Sequence, residues 1–276
     1  MTMTLENKEQ KLVELLRDMK SVLVAYSGGV DSTYLAFKAY QVLGSDSLAV
    51  TAESPIVPAR EVRMAQQLAG QIGFRHEIAR NDAMELAEFR ANPPDRCFYC
   101  KDALLAKLEI LAGERGIATI VDGVNADDLS DFRPGRKAAE KHKIRSPLLE
   151  VELHKEEIRE LSRRASLPTA DRPSAACLAS RIPYGLAITE VNLRIVERGE
   201  EALREMGFRV FRVRHHDTLA RLEFGKDELA RAMTPEMVLR LVPVFKDLGY
   251  KYVTMDLEGF RSGSLNEVLG SNVTSS

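Results

Sequence analysis

The segment VLVAYSGGVDS, residues 22–32, constrains the fold of this chain more than any other stretch. An apolar run is followed by two glycines, and Asp31 and Ser32 then open a sequence with helical spacing. Glycine adopts positive φ and has no Cβ, so the backbone N–H groups of Gly28 and Gly29 can close around phosphate oxygens. The N-terminus of the following helix adds unpaired N–H groups and a positive partial charge. The segment predicts a strand, a phosphate-binding turn and a helix; a tight turn without a ligand is the plainer alternative.

The glycine pattern is not a Walker A loop, because no lysine stands at its end. SGGxDS instead resembles the pyrophosphate loop (PP-loop) of the ATP-pyrophosphatase superfamily, which cleaves ATP between the α and β phosphates. The resemblance implies ATP as the nucleotide and Asp31 as a ligand of Mg²⁺, which prefers oxygen ligands and substrate phosphates. The residues expected at the nucleotide belong to the loop and to two neighbouring strand ends: Ser27, Gly28, Gly29, Asp31, Ser32, Ala52 and Gly123.

Strand and helix patterns alternate over the first 150 residues. Strands are predicted over residues 22–26, 48–52, 74–78 and 118–121, with a weaker fifth near 144–148, and helices over 33–42, 59–72 and 101–114. Such alternation favours an α/β fold with a doubly wound parallel sheet and right-handed crossovers. Ligands of these sheets bind beyond the carboxyl ends of the strands, where the strand order reverses. The glycine loop, Ala52 and residues 122–128 are expected at that edge.

A different pattern follows the alternating region. A helix over residues 154–165 leads into a proline-containing ordered loop over 167–185, and loops of this length inside compact chains are usually functional. The remainder predicts a smaller α+β unit, with helices over 190–206 and 234–248 and strands over 209–215, 219–224 and 252–257. We therefore predict two domains: residues 1–186 hold the nucleotide and the loop with Cys177, and residues 187–276 serve substrate binding and oligomerisation.

The net charge and the number of cysteines indicate which binding partners and which cellular compartment to expect. The net charge is −2 and the pI is about 6.3, so the molecule has no general attraction for nucleic acid or for anionic membranes. The charged N-terminus has no apolar core of a secretion signal, and no run approaches the length of a membrane span. Three cysteines are too few, and odd in number, for a secreted disulfide framework. We expect a cytoplasmic protein with reduced thiols.

The cysteines form a pair and a distant single residue. Cys97 and Cys100 follow Pro93 and Pro94, and their spacing places both sulfurs on one face of the first turn of a helix, where thiolates are favoured. Cys177 lies in the long loop. Structural zinc, a redox disulfide and inert cysteines all remain open. The fourth alternative is one iron–sulfur cluster held by three thiolates, which would leave one iron open to an exogenous ligand, because such clusters usually have four.

Charged and apolar residues alternate in RVFRVRHHDTLARLEF, residues 209–224. Arg212 and Arg214 share one strand face, opposite to Phe211 and Val213. A two-residue turn at 216–217 would pair Phe211 with Leu222 and Val213 with Ala220, and would add Arg221 and Glu223 to the arginine face. This face is either solvated or a clamp for a substrate phosphate, for which paired arginines are well suited.

Five motifs together carry a resemblance to one family. They are SGGVDS, DFRPG at 131–135, SRIPYG at 180–185, RVRHHDTLARLE at 212–223 and MDLEGFRSGSLNE at 255–267. The chain resembles the LarE family over residues 9–267, the ATP-dependent sulfurtransferases that help to build the nickel-pincer cofactor of lactate racemase. The resemblance implies that ATP adenylates a carboxylate of pyridinium-3,5-biscarboxylic acid mononucleotide with release of pyrophosphate. Sulfur then replaces AMP and gives a thiocarboxylate, and a second round modifies the other carboxylate.

The resemblance also implies roles for single residues. Ser180, Arg212 and Arg214 match the contacts of the family to the substrate phosphate, and Glu200 and Glu223 match acidic positions near its active site. Arg133 and Arg181 belong to matching motifs and are expected among the substrate-binding residues, although their exact roles are not assigned. The family implies a homo-oligomer, a hexamer.

Two branches of the family differ in their cysteines. One branch sacrifices the sulfur of a single cysteine, here Cys177, and works once per sulfur. The other has the three cysteines found here and holds a 4Fe-4S cluster that delivers sulfide, so Cys97, Cys100 and Cys177 are the expected catalytic and metal-binding residues.

Three rival functions use the same nucleotide loop. A tRNA thiolase would need affinity for nucleic acid, which the acidic balance does not favour. An amidating synthetase that uses ammonia would not need the three cysteines. A nucleotide sensor without catalysis would not release pyrophosphate in response to a pyridinium substrate.

Overall fold

The parallel sheet is built from four short, mostly apolar strands. In the computed structural model, which describes residues 3–130, 134–173, 176–261 and 263–269, these are β1 (Val22–Ala25), β2 (Ser47–Glu53), β3 (His76–Arg80) and β4 (Thr119–Asp122). Their order is β3-β2-β1-β4, and all neighbours are parallel. The order reverses between β1 and β4, so the loop after β1 leaves the sheet at the point where such folds bind ligands.

Eleven α-helices lie within the described residues. They are α1 (Leu5–Met19), α2 (Val30–Leu43), α3 (Ala59–Ile72), α4 (Ala87–Arg90), α5 (Arg96–Arg115), α6 (Gly135–Lys141), α7 (Pro147–Glu150), α8 (Lys155–Arg164), α9 (Glu190–Glu205), α10 (Lys226–Ala232) and α11 (Pro235–Asp247). The chain divides into two compact units, residues 1–83 with 95–175 and residues 84–94 with 176–276. Cys97 and Cys100 therefore belong to the first unit and Cys177 to the second.

Both faces of the parallel sheet are covered. Val22 and Val24 of β1 join an apolar cluster with residues of α1, α2, α3 and α8, while Leu23 joins a second cluster with α5 and α6. Successive side chains of a strand point to opposite faces, so a strand that is buried on both sides must be apolar throughout. The predicted α/β class, a doubly wound parallel sheet with a smaller C-terminal unit, is confirmed.

The predicted fifth strand is wrong. Arg145 forms only an isolated bridge with Val121, and the chain then enters the short helix α7 at Pro147. Proline lacks the N–H that a sheet requires and is favoured in the first turn of a helix. Helix α5 begins at Arg96 rather than at residue 101, so Cys97 lies in its first turn as expected, while Cys100 begins the second turn.

The second unit contains a three-stranded mixed sheet. Strands β5 (Phe211–His216) and β6 (Leu219–Phe224) are antiparallel, and β7 (Tyr252–Met255) pairs with β6 in parallel. Phe211, Val213 and Leu222 are buried in one apolar cluster that also contains residues of α9 and α11. The arginine face of the sheet is the opposite one, as the alternation of residues 209–224 predicted.

The register of the β5–β6 hairpin differs from the predicted one by two residues. Phe211 pairs with Phe224 and Val213 with Leu222, so the turn is formed by Asp217 and Thr218. Asp217 has φ +54°, and aspartate is among the residues that tolerate the left-handed conformation of hairpin turns. A shift by two residues keeps the two faces, so the arginine face is unchanged.

The predicted domain boundary after residue 186 stays a prediction, because the two compact units describe packing and not the roles of domains. Every helix in the described ranges is too short or too polar to span a lipid bilayer.

Candidate functional site

The turn after β1 has the conformation that its glycines predicted. Gly28 has φ +72°, and a Cβ at this position would lie 3.0 Å from Cβ and 3.2 Å from Cα of Ala65 on α3. Both the positive φ and the close approach of α3 therefore require glycine. Four residues, 26–29, connect β1 to α2.

Hydroxyl groups tie this turn to the first residues of α2. The Ser27 N–H donates to Ser32 Oγ over 3.2 Å, and Ser32 Oγ donates to the carbonyl of Gly29 over 3.3 Å. Gly29 is the N-cap of α2, and within the described residues no side chain caps this helix end. The N–H groups of the first turn are thus left for an anion, which the helix dipole also favours.

A second glycine brings β4 close to the same helix end. A Cβ on Gly123 would lie 3.0 Å from the backbone nitrogen of Ser32 and 3.3 Å from the carbonyl carbon of Asp31. A side chain at this position would therefore separate the loop after β4 from the N-terminus of α2. The absence of a Cβ at Gly123 lets the two loops approach closely enough to line one pocket.

The two loops and α8 enclose a pocket of about 230 Å³. It is lined by Ala25, Ser27, Gly29, Asp31, Ser32, Asp122, Gly123, Val124, Asp128 and Lys155. Five of the seven residues predicted for the nucleotide are in this set. Gly28 forms the turn behind it, and Ala52 is half-buried near the carboxyl end of β2.

The carboxylate of Asp31 is only half satisfied by protein groups. Its Oδ2 accepts a hydrogen bond from Lys155 Nζ over 2.5 Å, while its buried Oδ1 has no hydrogen-bond partner among the described residues. A buried acceptor without a donor is costly unless a ligand completes it. Asp31 therefore fits the role of a Mg²⁺ ligand through Oδ1.

The neighbouring carboxylate of Asp122 is already occupied. Its Oδ1 accepts from Ser146 Oγ over 2.7 Å, and its Oδ2 pairs with Lys101 Nζ over 2.8 Å. These contacts fix the end of β4 against α5. Asp31 rather than Asp122 is for this reason the carboxylate that fits an incoming cation.

Lys155 is a pocket residue that the sequence did not reveal. It is the first residue of α8 and lies 124 positions after Asp31 in the chain. Its ammonium group is the one cation among the described residues that line the pocket. No local motif marks it, since only the folding of α8 over the sheet edge brings it to the loop.

The cysteine pair lies at the N-terminus of α5. Cys97 is exposed and Cys100 is half-buried, and the Asn81 amide lies 3.5 Å from Cys100 Sγ. Cys177, also half-buried, precedes a 3₁₀ turn, Leu178–Arg181, in the second unit. Over the part of the chain that the structure describes, no three His, Cys, Asp or Glu side chains are grouped as the ligands of one metal ion. The thiols of Cys97 and Cys100 fit the chemistry of two ligands of an iron–sulfur cluster.

Arg181, which has no role assigned from the sequence, holds the backbone at Cys177. Its Nη1 lies 2.9 Å from the carbonyls of Ala176 and Cys177 and from Ser180 Oγ. The carboxylate of Glu200 binds the other side of the guanidinium with two contacts of 2.8 and 3.0 Å. Arg181 and Glu200 are 3% and 6% exposed, so these predicted substrate residues form a buried support of Cys177.

Arg214 and Glu223 form a second buried pair on the arginine face. Two hydrogen bonds of 2.9 and 2.8 Å join them, and Arg214 also donates to the carbonyl of Ser180 and to Ser264 Oγ. These contacts use four of the five N–H donors of the guanidinium. Arg214 therefore fixes the Ser180 segment over the sheet.

Arg212 is the arginine of this face that lacks a carboxylate partner within the described residues. It donates to the carbonyl of Phe211 over 2.6 Å, and its guanidinium lies 4.7 Å from the ring centre of Phe260. Burial, and then the positive charge of Arg181, lower the pKa of Arg212 to about 10. Glu200 and Glu223 partly offset this effect without forming an ion pair with Arg212. A half-buried guanidinium without an ion pair is a strong site for an anion such as a phosphate.

The remaining predicted site residue, Arg133, lies outside the described residues. The structure thus brings most of the predicted nucleotide residues together in the first unit. In the second unit it brings together Ser180, Arg181, Glu200, Arg212, Arg214 and Glu223.

Comparison with known proteins gives relatives that match nearly the whole chain. An uncharacterized protein of Synechocystis sp. is 42% identical over 265 residues, which cover 96% of this chain and 99% of the relative. The pyridinium-3,5-bisthiocarboxylic acid mononucleotide synthase of Lactiplantibacillus plantarum is 34% identical over 267 residues, 96% of either chain. One subunit of the glutamine-hydrolyzing GMP synthase of Archaeoglobus fulgidus is 22% identical over 217 residues, 72% of this chain and 69% of the relative. No family model matches the chain.

Proposed function

From the premise that the chain belongs to the family of the pyridinium-3,5-bisthiocarboxylic acid mononucleotide synthase, the LarE family, we propose that it makes thiocarboxylates on a pyridinium mononucleotide at the expense of ATP. Its substrate is pyridinium-3,5-biscarboxylic acid mononucleotide, and its product serves the nickel-pincer cofactor of lactate racemase. The observation that carries the proposal is the 34% identity over 96% of both chains. The pocket at the glycine turn supports the use of ATP in the proposed reaction.

Activation of a carboxylate requires a better leaving group, and adenylation supplies one. We assign the phosphates of ATP to the pocket, where the N–H groups at the start of α2 and Lys155 can stabilise the departing pyrophosphate. Mg²⁺ would be held by Asp31 Oδ1 and by phosphate oxygens. The chain's own groups thus bind and neutralise charge, while the bond that breaks lies between the α and β phosphates.

The substrate is held through its phosphate by the second unit. Arg212 is the proposed primary contact, because within the described residues it has no ion pair with a carboxylate. Ser180 is the proposed second contact; its hydroxyl donates to the Cys177 carbonyl over 2.7 Å and would turn from that carbonyl to the phosphate when the substrate binds. Arg214, Glu200, Glu223 and Arg181 contribute by holding these groups in place. The proposal refines the clamp of two equivalent arginines that the sequence suggested.

Sulfur delivery is proposed to depend on Cys97, Cys100 and Cys177 as ligands of a 4Fe-4S cluster. Thiolates are the usual ligands of such clusters, and the helix N-terminus and the Asn81 amide beside Cys100 favour the anionic sulfur of the pair. With three ligands from the protein, a bound cluster would offer one iron to an external sulfide. The sulfur donor would then be sulfide or a related small molecule, and each chain could act repeatedly. A homo-oligomer is proposed from the same resemblance.

The proposed reaction is tested by release of pyrophosphate. Purified protein is incubated with ATP and Mg²⁺, with and without the pyridinium substrate, and pyrophosphate is measured. We expect release only when the substrate is present, and Asp31→Asn to abolish most of it. Release without the substrate, or no release with it, would contradict adenylation of this compound.

The proposed sulfur route has its own test. Anaerobically purified protein is analysed for iron and sulfide and for the number of sulfur transfers per chain. We expect bound iron and sulfide, with more than a single transfer per chain, and loss of both in Cys97→Ala with Cys100→Ala. An iron-free protein that completes one transfer and loses the sulfur of Cys177 would establish the sacrificial route instead.

A further inference from the structure

Arg172 reaches the phosphate-binding turn from the long loop after α8. Its Nη1 donates to the carbonyl oxygen of Gly28 over 2.7 Å, and its Nη2 pairs with Glu61 Oε2 over 2.5 Å. The side chain of Arg172 is 15% exposed and that of Glu61 is 21% exposed. The guanidinium therefore lies between the turn and α3, largely shielded from water.

The backbone that carries Arg172 is fixed in its turn. Arg159 of α8 donates from Nη1 to the carbonyl of Ala170 over 2.6 Å and from Nη2 to that of Arg172 over 3.2 Å. The Arg172 N–H donates to the carbonyl of Thr169 over 3.0 Å. Helix α8 thus supports the pocket in two ways. Its first residue, Lys155, lines the pocket, and its Arg159 fixes the segment that carries Arg172.

A fixed carbonyl at Gly28 also fixes the next N–H. The peptide bond between Gly28 and Gly29 is planar and trans, so its C=O and N–H point in opposite directions. With the carbonyl held by Arg172, the Gly29 N–H is turned to the other side of the loop. This N–H lies 3.4 Å from Ser27 Oγ, near the limit of a hydrogen bond, so a phosphate oxygen can replace that acceptor at little cost.

We propose that Arg172 is a positioning residue, which orients the Gly28–Gly29 peptide so that the Gly29 N–H binds the pyrophosphate part of ATP. The inference rests on the proposed function in that it takes ATP as the ligand of the pocket. Arg172 acts by orientation rather than by its charge, because Glu61 neutralises the guanidinium. Preorganised donors of this kind stabilise the charge that develops on a leaving group.

The test compares the binding of pyrophosphate and of AMP by calorimetry in the presence of Mg²⁺. Arg172→Gln combined with Glu61→Gln removes the contact to Gly28 and keeps the pair neutral. We expect this double variant to bind pyrophosphate about tenfold more weakly, the loss of one charge-assisted hydrogen bond, and to bind AMP unchanged. Arg163→Gln is the matched control, since Arg163 pairs with the exposed Asp171 over 2.9 Å beside the same segment. The control should bind both ligands as the wild type does.

A folded double variant that binds pyrophosphate as tightly as the wild type would overturn the proposal, and so would an equal loss for pyrophosphate and AMP. Should the double variant not fold, Arg172→Lys retains the charge and a single donor group. We expect Arg172→Lys to lose less affinity for pyrophosphate than Arg172→Gln does, with AMP binding unchanged in both. Wild-type affinity for pyrophosphate in both Arg172→Lys and Arg172→Gln would overturn the proposal. A wild-type protein that binds neither ATP nor pyrophosphate would instead remove the proposed function.

Discussion

Arg181 and Glu200 form a buried pair that we expect to serve both protein stability and sulfur transfer. Replacing one or both residues should affect these two properties differently. Arg181→Met alone leaves the carboxylate of Glu200 buried without its partner, which costs about 3–5 kcal/mol in the free energy of unfolding. Arg181→Met combined with Glu200→Met removes both charges. The double variant adds one defect, the Val213 N–H, which loses its contact of 3.3 Å to Glu200 at about 1–3 kcal/mol. Both variants lose the hydrogen bonds from Arg181 to the carbonyls of Ala176 and Cys177. The double variant should therefore be more stable than the single variant.

Sulfur transfer should not recover in the double variant. Arg181 Nη1 and Ser180 Oγ both bind the carbonyl of Cys177, at 2.9 and 2.7 Å, and the double variant keeps only the hydroxyl. A displacement of a reacting group by about 1 Å can cost on the order of 100-fold in rate. We expect thiocarboxylate formation to fall by about this factor in the single and in the double variant.

Urea unfolding measures the free energy of unfolding, and single-turnover formation of thiocarboxylate measures the rate of sulfur transfer. The Kd of ATP is the internal control and should not change, because the phosphate pocket belongs to the other unit. The matched control is Glu190→Met with Arg194→Met on the same helix, an exposed pair at 3.1 Å. Such a surface pair contributes about 0–1 kcal/mol to the free energy of unfolding. Its removal should therefore change neither the free energy of unfolding nor the rate of thiocarboxylate formation. A folded double variant with the wild-type transfer rate would refute the role of Arg181 at Cys177.

Four further predictions address the nucleotide and the substrate. Gly123→Ala places a Cβ 3.0 Å from a backbone nitrogen of α2 and should weaken ATP binding in calorimetry, whereas Gly113→Ala, with open space around its Cβ, should not. Asp31→Asn should make ATP affinity insensitive to Mg²⁺; an unchanged Mg²⁺ dependence would contradict the assigned ligand. Arg212→Ala should raise the KM of the pyridinium substrate more than that of ATP, and the exposed Arg209→Ala should raise neither. Because burial lowers the pKa of Arg212 to about 10, deprotonation should raise the wild-type KM of this substrate as the pH increases through that value.

Much of the fold was predictable because it follows from local patterns. The predicted helix over residues 59–72 matches α3 at both ends, since its apolar spacing ends at Gly73, which has φ +93°. The loop SGGVDS was predictable for the same reason, because its glycines and serines act on their immediate neighbours. The fifth strand failed where one proline outweighed the apolar residues around it.

The contacts that complete the site were not predictable, because they join distant parts of the chain. Lys155 and Asp31 are separated by 124 positions, and Arg172 and Gly28 by 144. Alternation placed Arg212, Arg214 and Glu223 on one face, but no pattern indicates that Glu223 pairs with Arg214 and that Arg212, among the described residues, has no carboxylate partner. The Ser180 carbonyl, which Arg214 also binds, comes from a segment 34 positions earlier in the chain.

The most direct test of the proposed function is the mass of the pyridinium product. The protein is incubated anaerobically with ATP, Mg²⁺, pyridinium-3,5-biscarboxylic acid mononucleotide and isotopically labelled sulfide, with ammonia present in a parallel reaction. We predict products in which a carboxylate oxygen is replaced by labelled sulfur, with one pyrophosphate released for each replacement. Pyrophosphate release with an amide as the product, or with no sulfur in the product, would contradict the assignment.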